Sequence, residues 1–173
     1  MASQPTEHDR RAAGRHALFP GTFDPPTLGH IALIERASRL FDSVTVAVAQ
    51  HPTKRAMFSV KERRGLLESC TAGLTGVRIE HVDGLTVEGC RRLGCSVIVR
   101  GVRSGTDFDY EVTLARNNRT LLPTVDTVLL VPDPGLAHIT SGIVREVASL
   151  GGDPSTMVPV PVAEALRAKL QNG

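Results

Sequence analysis

The sequence predicts an α/β fold in which a five-stranded parallel sheet carries helices on both faces. Three observations lead there. Short runs rich in Val and Ile recur along the chain, amphipathic stretches separate them, and each run is mostly continuous rather than alternating. A strand buried on both faces reads as a continuous apolar run, and strand–helix–strand repetition makes right-handed crossovers.

The strands are expected at His16–Pro20, Ser43–Ala49, Val77–Val82, Ser96–Arg100 and Asp126–Val131. Between the first two, Gly29–Phe41 places Ile31, Ile34, Ala37, Ser38 and Phe41 at helical spacing. Ser59 with Glu62 forms a capping box that opens a helix running to about Ala72. Thr86–Leu93 is a shorter helix. Thr106 and Asp107 are expected to cap Phe108–Leu122, with Phe108, Val112, Ala115 and Leu122 on one stripe. Thr140–Leu150, stopped by Gly151-Gly152, and Val162–Leu170 complete the set. The result is a single Rossmann-like domain over residues 16–173, preceded by a tail at residues 1–15. That tail is polar and lacks the apolar middle of a secretory signal, so it is expected to be disordered on a cytoplasmic protein.

Composition narrows the function. The 173 residues carry 20 Lys+Arg against 18 Asp+Glu, a net charge of +2. No global field draws nucleic acid or a membrane, so any anion site must be built locally. With no Trp, one Tyr and five Phe, the stacking platforms of single-strand binders are nearly excluded. No apolar run approaches the roughly 20 residues of a membrane helix. Cys70, Cys90 and Cys95 are odd in number and lack CxxC spacing, against a disulfide scaffold or a zinc site. His8, His16, His51, His81 and His138 show no metal-ligand spacing either.

In a parallel sheet ligands bind beyond the carboxyl ends of the strands, so the loops there carry the chemistry. The first loop is Pro20-Gly21-Thr22-Phe23-Asp24-Pro25-Pro26-Thr27-Leu28-Gly29-His30. Thr27 is an N-cap candidate, and His30 falls in the first helical turn, where free N–H groups and the dipole favour an anion. An ordinary tight turn with a surface histidine is the alternative. The second loop holds two cations, Lys54 and Arg55; taken in isolation, Lys54 reads as an ordinary solvated lysine. Arg100 ends a buried strand, where a guanidinium needs a partner: a phosphate, or internally Asp107 or Glu111. After the fifth strand, Thr140, Ser141 and Gly142 open a helix, and Arg145 follows one turn later. Two helix N-termini with His30, Lys54, Arg100, Arg103 and Arg145 would converge on one sheet edge, a site for several phosphates. Neither a Walker A motif nor GxGxxG is present, and there is no nucleophile elbow.

At these residues the sequence resembles the bacterial phosphopantetheine adenylyltransferases of the nucleotidyltransferase superfamily, from about Ala17 to Leu170. The motif from Pro20 to His30 carries the likeness, with Ile98–Arg103, Asp107–Glu111 and Ile139–Arg145. The resemblance implies transfer of AMP from ATP to 4′-phosphopantetheine, giving dephospho-CoA and pyrophosphate in coenzyme A biosynthesis. It implies that His30, with Lys54 and Arg103, serves catalysis, His30 stabilising the transition state. Thr22, Lys54, Thr86, Arg100, Leu114 and Asn118 would hold phosphopantetheine. Thr22, Phe23, His30, Gly101, Val102, Arg103 and Glu111 would hold ATP, with Leu136, Ala137, His138, Ile139, Thr140, Ser141 and Gly142. It further implies Mg2+ on the pyrophosphate side without a dedicated carboxylate cage, CoA as a feedback ligand, and a homohexamer.

Thr140 and Gly142 stand where the family has serines, Asn117 where it has methionine, and His138 where it has an aromatic. The competing functions are another adenylyl- or cytidylyltransferase, for example one using nicotinamide mononucleotide, and a non-catalytic CoA- or nucleotide-binding module. A nucleic-acid binder is the weakest reading.

Overall fold

The computed structural model describes residues 15–50 and 56–171. The strands are β1 (His16–Gly21), β2 (Ser43–Ala49), β3 (Val77–Val82), β4 (Val97–Gly101) and β5 (Asp126–Leu130). The helices among the described residues are α1 (Leu28–Leu40), α2 (Val60–Thr71), α3 (Thr86–Leu93), α4 (Gly105–Leu121), α5 (Ser141–Ser149) and α6 (Val160–Gln171). All strand pairs are parallel, in the order β3-β2-β1-β4-β5. Chain order reverses direction between β1 and β4, where Ala17 stands opposite Val97 and Leu18 opposite Ile98. That reversal opens a crevice at the carboxyl edge of the sheet.

Both faces of β1 are buried, as its continuous apolar run requires. Ala17 and Phe19 join Leu33, Ile34, Val44, Val46 and Leu67 on one side. Leu18 meets Ala47, Cys90, Ile98 and Val125 on the other. Leu18 is fully buried, so its truncation to Ala should cost about 2–5 kcal/mol. A third cluster packs Phe58 against Val144, Val162 and Leu166, seating α5 and α6 beside α2. Cys90 and Cys95 are free, and burial pushes their thiols up to about 12 and about 11. No helix among the described residues is long and apolar enough to cross a membrane.

The Ser59–Glu62 box forms as expected: the Ser59 N–H donates to Glu62 Oε2 at 2.7 Å, and the Glu62 N–H donates to Ser59 Oγ at 3.2 Å. Glu62 also accepts from Lys169 Nζ at 2.7 Å, tying α2 to α6. Helix α6 begins at Val160, two residues ahead of expectation, because the Pro159 carbonyl already accepts from Val162 and Ala163.

Helix α4 differs from its sequence pattern in two ways. Ser104, rather than Thr106 and Asp107, caps it, its Oγ accepting from the Asp107 N–H at 3.2 Å. The expected apolar stripe is not its buried face either: Phe108 is 49% exposed, and Glu111 is the helix's buried residue. An ion pair occupies the inward position where the pattern anticipated hydrocarbon. Arg15, the last residue of the expected tail, is bonded into the domain, its N–H reaching Asp42 Oδ2 at 2.6 Å. Residues 1–14 of that tail lie outside the described residues.

Candidate functional site

A cavity of about 690 Å³ opens at the carboxyl edge between β1 and β4, within the size range of small-molecule sites. The first β–α loop forms its floor. Phe23 lies in that loop at φ 49°, a left-handed conformation that costs a non-glycine residue about 1–3 kcal/mol unless its surroundings hold it. The surroundings do: its ring is 2% exposed and packs edge-on against Phe19 at 6.0 Å and His30 at 5.1 Å. Gly21 makes room for it, since a Cβ there would come within 2.8 Å of the Phe23 ring.

Thr27 caps α1 and forms a capping box whose N3 member is His30. The Thr27 N–H donates to His30 Nδ1 at 3.0 Å. A nitrogen that accepts a backbone N–H carries no proton, so in the neutral ring the proton sits on Nε2. Burial, and secondarily the Arg103 charge, push the His30 pKa down from 6.5 to about 4. At neutral pH His30 is therefore an uncharged donor lining the cavity.

The cations are held by structure, not left loose. Arg100 donates from Nε to Glu111 Oε2 at 2.8 Å, from Nη2 to Oε1 at 2.6 Å, and from Nη1 to the Pro20 carbonyl at 2.9 Å. Arg103 Nε donates to Asp107 Oδ2 at 3.2 Å and is more exposed. Arg145 donates to the Asp24 carbonyl and lies 3.6 Å from its carboxylate. Helix α5 presents its N-terminus beside them: Thr140 Oγ1 accepts from the Ile143 N–H at 3.1 Å, and Ser141 Oγ donates to the Pro25 carbonyl at 2.8 Å. Such a collection of donors and cations around one void suits phosphate groups.

The fold thus brings together on one cavity Thr22, Phe23, His30, Thr86, Arg100, Gly101 and Arg103. From α4 come Glu111, Leu114 and Asn118, the last two one turn apart on one face. Leu136, Ile139, Thr140, Ser141, Gly142 and Arg145 close it. Val102, Ala137 and His138 do not line it; Val102 is buried and gives its N–H to the Leu130 carbonyl. Lys54 lies outside the described residues, as do His51 and Arg55. Among the described residues no cluster of three His, Cys, Asp or Glu side chains could hold a metal ion. Asp107 and Glu111, the carboxylates on the cavity, are already engaged by arginines.

Sequence reasoning gave no role to Asp24 or Arg63. Asp24 is 5% exposed, and its carboxylate accepts from the Met57 N–H at 2.9 Å and the Phe58 N–H at 2.8 Å. Arg63 is 2% exposed. A signal existed for the latter: it shares a helical face with buried Leu67 and Thr71, so a cation sits on an apolar stripe.

A family model described as cytidylyltransferase-like matches residues 18–147. Curated relatives named phosphopantetheine adenylyltransferase include one from Roseiflexus sp., 47% identical over 151 residues, covering 87% of this chain and 94% of its own. Another from Chloroflexus aurantiacus is 45% identical and one from Levilactobacillus brevis 43%, each covering 90% of this chain and 96% of its own. A solved structure from Vibrio parahaemolyticus, described as a nicotinate-nucleotide adenylyltransferase, superposes with a TM-score of 0.59 at 20% identity. It covers 87% of this chain and 97% of its own, and it supports the fold.

Proposed function

The chain belongs to the phosphopantetheine adenylyltransferase family of cytidylyltransferase-like enzymes, and on that footing we propose that the β1–β4 cavity brings ATP and 4′-phosphopantetheine together phosphate to phosphate. The protein transfers the adenylyl group of ATP to 4′-phosphopantetheine, making dephospho-CoA and pyrophosphate. A phosphopantetheine oxygen forms the new bond to the α-phosphorus, and the α–β phosphoanhydride bond breaks.

The observation that carries the site assignment is the arrangement around one cavity of a neutral histidine donor, three arginines and a helix N-terminus. The acceptor phosphate, with a second pKa of about 6, is largely dianionic at neutral pH and needs no general base. The remaining task is to hold two repelling anions in line and to receive charge on the α-phosphate and the departing pyrophosphate. His30 offers Nε2–H to the reacting phosphate without adding a titratable proton near neutrality. Arg100, fixed by Glu111 and the Pro20 carbonyl, and Lys54 hold the acceptor phosphate, with Thr22 and the backbone at Thr86. Leu114 and Asn118 line the pantetheine arm. Phe23, Gly101, Arg103 and Glu111 serve ATP with Leu136 and Ile139–Gly142, the α5 N-terminus and Arg145 lying toward its polyphosphate. Glu111 also holds Arg100 for the acceptor.

Mg2+ is proposed to accompany ATP, where it would neutralise charge on the departing pyrophosphate. CoA, which contains the pantetheine arm, is proposed as a feedback ligand of the same cavity. Exposed Phe108, Tyr110 and Leu121 on α4 support a self-association, proposed as a homohexamer. A cytoplasmic location belongs to the same proposal.

Mixing the protein with magnesium ATP and 4′-phosphopantetheine tests the reaction. Dephospho-CoA and pyrophosphate should appear in equal amounts, and neither without the acceptor.

A further inference from the structure

Arg63 projects from the buried face of α2, and its guanidinium reaches three carbonyls on three separate segments. Nε donates to Phe58 O at 3.0 Å, and Nη1 donates to Ala49 O at 3.0 Å and to Thr22 O at 2.5 Å. Burial lowers the Arg63 pKa, while the nearby Asp24 charge opposes that shift. Taking a guanidinium out of water is costly even when it is hydrogen-bonded. Its neighbours on the same face, Leu67 and Thr71, fill that surface without any charge.

The identity of the three carbonyls gives the arginine its meaning. Ala49 ends β2 and Phe58 precedes α2, so they bracket the segment that carries Lys54. Thr22 belongs to the first loop, on the floor of the cavity. The Asp24 carboxylate takes the Met57 and Phe58 N–H groups from the same first loop. The bonds run one way: N–H donors of Met57, Phe58 and Arg63 meet acceptors of the first loop at Asp24 and Thr22. A carbonyl oxygen held by a buried guanidinium is also kept from turning toward an anion. The same loop is treated likewise at Pro20 by Arg100, at Asp24 by Arg145 and at Pro25 by Ser141.

We infer that Arg63 is a positioning residue that fixes the Thr22 loop against Ala49 and Phe58, the two ends of the β2–α2 connection, for binding of the acceptor phosphate. Arg63 does not itself line the cavity. The inference rests on the cavity being the reaction site.

Arg63→Lys and Arg63→Ala test it in the full-length protein, by hydrogen exchange and by steady-state kinetics. Lysine keeps the charge but not the planar fork that serves separate carbonyls. In both variants, peptides covering 20–25 and 49–58 should exchange tenfold or more faster, while the β2 peptide 43–48 is unchanged. The KM for 4′-phosphopantetheine should rise tenfold or more and that for ATP less than threefold. Millimolar guanidinium should partly restore the alanine variant. Unchanged exchange in the two loop peptides, or equal acceleration of all peptides, would overturn the inference. So would a lysine variant with wild-type KM values. If the wild type fails to turn over 4′-phosphopantetheine while the two loop peptides still loosen selectively, the reaction assigned to the cavity falls and the positioning role stands.

Discussion

Arg100 and Glu111 meet in a two-point ion pair, Nη2 to Oε1 at 2.6 Å and Nε to Oε2 at 2.8 Å, across the point where the sheet changes direction. Glu111 is 6% exposed. Removing Arg100 leaves that carboxylate buried without its partner, so Arg100→Ala should destabilise by about 3–5 kcal/mol. Adding Glu111→Gln to that variant should recover much of the stability and none of the acceptor affinity. Urea midpoints and titrations of single and double variants separate the two effects. Recovery of affinity in the double variant would mean that Arg100 does not meet the acceptor phosphate.

Lys54→Ala should weaken the same phosphate. One charged hydrogen bond is worth about 1.5–3 kcal/mol, so acceptor affinity should fall tenfold or more while ATP affinity changes little. Separate titrations with the two substrates check it; a defect confined to ATP contradicts it.

His30→Ala should lower kcat by roughly two to three orders of magnitude, the range for a lost transition-state donor. Its Nδ1 is occupied by the Thr27 N–H, so the proton on Nε2 is the one at stake. Substrate affinity should change far less. A kcat within a few-fold of wild type would remove His30 from the transition state.

The same residue makes stability depend on pH. Its pKa is about 4 in the fold against 6.5 ordinarily, through burial first and Arg103 second. Between those values the unfolded chain binds more protons, so stability rises with pH and is lost as pH falls from about 6.5 to 4. The loss has an upper limit of about 3 kcal/mol, because the ring borders an open cavity. His16 is lowered too, through burial and Arg78, and acts in the same direction. Denaturation of wild type and His30→Gln at pH 7 and pH 4.5 isolates the His30 share: the variant should lose less on acidification. Equal losses would contradict the neutral assignment.

Removing residues 1–14 should leave activity and Tm nearly unchanged, because their polar composition offers little apolar area against about 1–2 kcal/mol per residue of ordering entropy. Extending the deletion through Arg15 should lower Tm, because the Arg15 N–H donates to the Asp42 carboxylate at 2.6 Å and its carbonyl accepts from the Asp42 N–H at 3.1 Å. A Tm drop of several degrees on the shorter deletion would make the tail structural.

What was legible in the sequence was local. The bounds of β2, β3 and α3 follow from runs and caps a few residues long, and Thr27 and Ser59 announce their helices. The cavity followed from the rule about strand ends, which placed His30, Arg100, Arg103 and Arg145 on one edge. Pairing across long sequence distances was not legible. Arg63 reaching Thr22 over 41 residues, or Arg145 reaching Asp24 over 121, depends on where the chain returns. Arg100 showed that it needed a partner, with a phosphate, Asp107 or Glu111 as candidates; that Glu111 fills the need emerges once α4 is laid on the sheet. The stripe read on α4 failed for the same reason, since its inward position is polar.

The central claim is that this cavity passes an adenylyl group to one particular phosphate. Pyrophosphate release measured over a panel of acceptors tests it most directly: 4′-phosphopantetheine, nicotinamide mononucleotide, nicotinate mononucleotide and none, each with ATP and with CTP. Release should be rapid with ATP and 4′-phosphopantetheine, and at least a hundredfold slower in every other combination. Faster release with a mononucleotide acceptor, or tight binding of both substrates with no pyrophosphate at all, would contradict it.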